Sequence, residues 1–251
     1  MLRKMNMVTI GFVIMASAMM LMPSVAVQAR PIDDPPPPTY DHMFYAPYTA
    51  AYSNYSCLGL QLYGYGSVFD NSVSASTGIV SIRDVTHSGG GIWPYTVYHK
   101  SDMVQQIIPP VSGNYLITGR WDFNYGIGLS STTSGSWAFV NVYMKGNVLD
   151  RTSGGVWSFG TWQQATAISY SCSGFASQTH IGQSIGFLQY HVYLVAGHTY
   201  NIYNELVVSS GSWEPTYVNS ASTDVDLSSH SPTLNPGSEH AQLYDLEVFL
   251  P

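Results

Sequence analysis

The feature that most constrains this chain is a recurrence of short segments in which apolar residues alternate with small or polar ones, each segment ended by a cluster of Gly, Ser, Asn or Pro. Side chains with a period of two project to opposite faces of a pleated backbone, so such segments bury one face and wet the other as strands. Leu58, Leu60 and Leu62 set the pattern, and further alternating or β-branched runs cover 79–85, 95–99, 104–108, 115–123, 137–144, 165–170, 185–195, 199–208 and 242–250. The breaks fall at 89–91, 109–113, 130–135, 154–155, 209–212 and 231–237. Many short strands between such turns predict an all-β fold, an antiparallel β-sandwich of jelly-roll type. Strong helix formers are scarce after the N-terminal segment, and no fixed-period repeat signals a propeller or solenoid.

Arg3 and Lys4 precede an apolar run over 7–27 that ends near the small residues Ala26 and Ala29. A charged start, an apolar stretch and small residues at the exit predict a signal peptide over 1–29, cut after Ala29. The run is close to the roughly 20 residues that cross a bilayer, so an uncleaved anchor is the alternative. Either way the remainder is expected outside the cytoplasm, extracellular or at the cell surface, and with cleavage the mature chain keeps no membrane span. Residues 30–39 hold four consecutive prolines, Pro35 to Pro38, which favour a stiff polyproline II spacer. A single β-sandwich domain over 40–251 follows.

Without Arg3 and Lys4 the 8 basic residues fall to 6 against 15 acidic ones, which excludes nucleic acid as a partner because phosphate binding needs clustered cations. Charged residues make up 9% of the chain and aromatics 14%, so hydroxyl and amide groups must keep it in solution. The two cysteines, Cys57 and Cys172, lie in a chain bound for an oxidising compartment, and a disulfide between them is the simplest reading. It would close a loop of over a hundred residues and add about 4–5 kcal/mol on the chain-entropy model. Two separate buried thiols are the alternative. Asn54-Tyr55-Ser56 fits the N-glycosylation acceptor pattern.

Motifs of nucleophile elbows, zinc proteases and phosphate loops are missing, and the eight histidines are dispersed. Asp224 and Asp226 form a D-x-D in a Ser-rich stretch; on a strand, residues two apart share a face, where paired carboxylates suit Ca²⁺. The aromatics are more informative. A domain of this size needs only some of its 6 Trp and 19 Tyr for a core. Surplus rings near turns, at Trp93, Trp157, Trp162 and Trp213, offer flat apolar faces to sugar rings while Tyr hydroxyls bond at the rim.

Three segments carry a family resemblance. IIPPVSGNYLITGRW over 107–121, HVYLVAGHTYNIY over 191–203 and QLYDLEVFLP over 242–251 resemble strand pairs and the closing strand of C1q and tumour-necrosis-factor jelly-roll domains. Carbohydrate-binding-module sandwiches use similar phrases. The resemblance covers about 105–251; the stretch 150–183 is longer than that family needs, and residues before 105 have no counterpart. It implies a binding domain for protein or glycan, often assembled as a homo-oligomer, typically a trimer. The sequence therefore predicts an exported, non-catalytic binding or adhesion domain whose ligand is a glycan or a surface protein. A secreted carbohydrate-active hydrolase using dispersed Asp and Glu, and an envelope protein self-associating through sheet edges, are the competing readings.

Overall fold

The alternation over 115–123 and 137–144 does not stop at the Ser- and Gly-rich stretch between them; both runs belong to one strand. A computed structural model describes residues 40–58, 65–89, 94–216, 220–228 and 240–251, all within one compact unit, Pro38–Pro251. The predicted signal peptide, the proline spacer and Trp93 lie outside the described residues. The strands are β1 (Tyr40–Phe44), β2 (Ala50–Leu58), β3 (Tyr65–Ser74), β4 (Ile79–Ser88), β5 (Tyr95–Ile107), β6 (Gly113–Asp150), β7 (Val156–Trp157), β8 (Gln163–Leu194), β9 (Tyr200–Trp213), β10 (Ala221–Leu227) and β11 (His240–Leu250). Every pairing among them is antiparallel, and no helix occurs among the described residues.

β6 organises the sandwich. In its first half the odd-numbered side chains are buried, among them Tyr115, Ile117, Trp121, Ile127 and Leu129; in its second half the even-numbered ones are, from Ala138 to Val148. The switch coincides with a register shift against β8 between Thr133 and Trp137. Extra residues in one strand flip its facing and bend it, so β6 leaves one layer at this corner and enters the other. One edge of β6 pairs with β8 on both sides of the corner, while the other meets β11, then β10, then β9.

The first layer therefore runs from β3 through β4 to β10 and β11, which lie end to end, and on to the first half of β6 and the second half of β8. β1 pairs with β11. The second layer runs from β2 through β5 and β9 to the second half of β6 and the first half of β8. Glycines let the layers close up. A Cβ on Gly186 would sit 2.6 Å from the Met144 sulfur, and one on Gly146 would collide with Tyr190. Between the layers the buried Ser210 hydroxyl of β9 donates to Asp84 of β4, and His99 of β5 stands 3.6 Å from the same carboxylate.

The expected disulfide is corrected by this arrangement. Cys57 is exposed on β2, Cys172 is buried on β8, and both are free. β5, β9 and β6 separate their strands, four inter-strand steps of about 4.8 Å or roughly 19 Å in all, against the 7 Å or less between Cα atoms that a disulfide allows. Asn54 is exposed on β2, where Lys100 of β5 is its cross-strand partner. The segments that carry the jelly-roll resemblance form the β5–β6 junction, the β8–β9 turn and β11. Gly197, at φ +77°, takes the left-handed conformation that this turn requires.

Candidate ligand-binding face

On β9 the even residues, including Ile202, Leu206 and Val208, are in the core, so Tyr203, Glu205, Val207, Ser209, Gly211 and Trp213 line the outer face of the second layer. Register places Asp102 and Lys145 on either side of Glu205, Lys100 and Tyr143 beside Val207, Tyr98 and Asn141 beside Ser209, and Trp137 beside Trp213. Three neighbouring strands thus build one surface from residues far apart in the chain.

Aromatic clusters stand at both ends of it. Trp157, Trp162 and Tyr203 form a mutual trio, with ring centroids 5.5 Å apart for the two tryptophans and 5.0 and 6.0 Å from these to Tyr203. The short strand β7 hangs on the end of β6 through Leu149 and Asp150 and carries Trp157, which is 42% exposed. At the other end Trp137 packs against Trp213 at 6.3 Å and Phe139 at 5.5 Å. Tyr203 and Trp213 are ten residue steps apart on β9, about 33 Å along an extended strand. Between the clusters lies an open groove of about 650 Å³, whose lining includes Tyr98, Lys100, Asn141, Tyr143, Lys145 and Ser209.

Beside that groove the face is charged. Asp102 and Glu205 are direct cross-strand partners, which brings their side chains to one spot, and Lys145 Nζ lies 3.9 Å from Glu205 Oε1. Burial, then the neighbouring Glu205, raises the Asp102 carboxyl to about 7 despite Lys100. Burial likewise raises Glu205, which Lys145 and Lys100 oppose.

Of the tryptophans singled out in the sequence, Trp157 and Trp162 come together at one end of this face and Trp213 stands at the other; Trp213 ends a strand and does not sit in a loop. Tyr203, Trp137, Asp102 and Glu205 complete the surface. Their common facing was readable from strand parity, but their adjacency depends on strand order. Asp224 and Asp226 lie on the outer face of the first layer, and Arg83 is the cross-strand partner of Asp226. Asp226 is fully buried and accepts hydrogen bonds from the Ser228 amide and hydroxyl. Among the described residues no three His, Cys, Asp or Glu side chains converge on a metal-sized site.

No protein-family model and no curated protein matches the chain. Among solved structures, the N-terminal modules of Clostridium thermocellum endo-1,4-beta-D-xylanase 10B complexed with xylohexaose share 12% identity over 68% of this chain and 25% of theirs, at a TM-score of 0.21. An Arthrobacter globiformis isomalto-dextranase complexed with panose shares 10% identity over 84% of this chain and 34% of its own, at 0.24. The enzymatically active domain of a bacteriophage CBA120 tailspike protein shares 14% over 69% and 19%, at 0.20. This chain spans about a third or less of each, and at TM-scores this low the likeness carries neither ligand nor activity to it.

Proposed function

We propose that this chain is an exported, non-catalytic glycan-binding domain whose ligand lies along the outer face of the second layer. The observation that carries the reading is the trio of Trp157, Trp162 and Tyr203 at one end of a face that also holds a groove lined by Tyr, Asn, Ser and Lys. Apolar ring faces match the C–H faces of a pyranose, while hydroxyl, amide and ammonium groups beside them hydrogen-bond its hydroxyls. The aromatic pair Trp137 and Trp213 supplies a second platform for an extended chain of sugars. Asp224 and Asp226 belong to the other layer, so binding here needs no cation at that pair.

A glycan array of the purified protein tests this, followed by titration of any hit against Trp157→Ala and Trp162→Ala. Each variant is expected to bind about tenfold or more weakly, which is about 1.4 kcal/mol, with its Tm unchanged. Equal loss of binding and stability would make the rings part of the packing and sink the proposal.

The opposed carboxylates Asp102 and Glu205 favour a second reading, a glycoside hydrolase acting on the same face, since such enzymes use two carboxyl groups. It requires that array hits incubated with the protein release reducing sugar and that Asp102→Asn stop the release. Binding without turnover rejects it.

A further inference from the structure

We infer that the chain forms a two-fold dimer by pairing the free edge of β8 with the same edge of a second copy. Among the described residues β8 pairs with β6 alone, so half of its backbone N–H and C=O groups face outward along its length. From Gly174 to Leu194 the register against β6 is unbroken, which leaves this stretch free of bulges.

Edges of this kind are ordinarily blocked by charge, proline or a bulge. β3, at the far side of the same layer, follows that rule with Asp70 and a register shift between Val68 and Asp70. β8 has no charged residue and no proline in 32 residues. Its outward row instead carries Phe175 at 84% exposure, Ile181 at 53%, Ile185 at 55%, Phe187 at 56% and Tyr193 at 64%.

The occupant is set by the symmetry of that row. In an antiparallel pair about a two-fold axis, residues equidistant from the centre face each other on the same side of the sheet. An axis at Ser184 sets Ile181 against Phe187 of the second copy and Phe175 against Tyr193, so one centre satisfies both apolar pairings. An uncharged edge brings no like charges together. The three exposed rings offer roughly 300–500 Å² per copy, and newly paired backbone supplies more toward the about 800 Å² per partner of a standard interface.

Light scattering on the full chain across a concentration series is expected to give twice the monomer mass of 27.5 kDa. The variant carrying Ile181→Lys and Phe187→Lys opposes two lysines on either side of the axis and should be folded and monomeric, with a Tm that no longer depends on protein concentration, while Ile181→Lys with Phe187→Glu should restore the dimer. Amides over 175–193 should exchange with solvent faster in the monomeric variant than in the dimer. A monomeric parent protein, a dimer that survives the double lysine, or protection that persists in the monomer would each overturn the inference, the last because another part of the chain would then cover the edge.

Discussion

Asp102 faces Glu205 across the β5–β9 ladder, and its protonation links this face to folding. Burial and Glu205 hold the Asp102 carboxyl at about 7, whereas the unfolded chain releases that proton near 4. Between these limits the folded state binds more protons, so this group's contribution to stability falls as pH rises from about 4 to about 7. Asp102→Asn, which stays neutral throughout, is expected to be more stable than the parent at pH 8 and to lose that advantage below pH 4; urea unfolding at both pH values measures it. Glu205, which keeps a Lys145 partner, does not substitute for it. Position 102 gave no signal in the sequence because a lone Asp in a strand becomes a paired carboxylate only when another strand sets Glu205 beside it.

The corner of β6 is the element on which both layers depend, and Glu214, just past β9, ties it down. Thr133 Oγ1 donates to the Glu214 carboxylate at 2.9 Å, and Thr216 donates through its amide at 2.9 Å and its hydroxyl at 2.7 Å. Glu214 in turn donates its own amide to Ser88 of β4 at 3.0 Å, joining the layers. Burial pushes the Glu214 carboxyl up, but the bonds from Thr216 and Thr133 outweigh it and leave it below the ordinary glutamate range. The stabilisation is therefore present above that range and is lost as pH falls through it. Glu214→Ala strands these donors and is expected to cost about 1–3 kcal/mol at neutral pH, less in acid. Thermal melts at pH 7 and pH 3 give the comparison. Residues 130–135 read as a turn between strands because Ser and Gly break alternation; the structure keeps the strand and spends those residues on a bend, since β8 follows β6 around the corner.

At the scale of the molecule, two free thiols replace a cross-link. Cys57 is exposed, while Cys172 is 6% exposed with its thiol pushed up by burial. One thiol per chain is expected to react with a chromogenic disulfide under native conditions and two after unfolding, and reductant should leave Tm unchanged; a single unfolding step that needs reductant would contradict the strand order. The all-β class, antiparallel pairing and most strand positions were determined by the sequence alone, because period-two alternation and turn residues act through neighbours in the chain. Trp157, Trp162 and Trp213 were singled out there too, by their position near turns. Tertiary structure decided what no local pattern encodes: that 113–150 is one bent strand, that Cys57 and Cys172 lie strands apart, and that Tyr203 and Trp137 join those tryptophans on one face with Asp102 and Glu205 between them. The reason is physical. Alternation fixes which way a side chain points, but its lateral neighbours are set by strand order and register, which follow from how two layers bury a shared core.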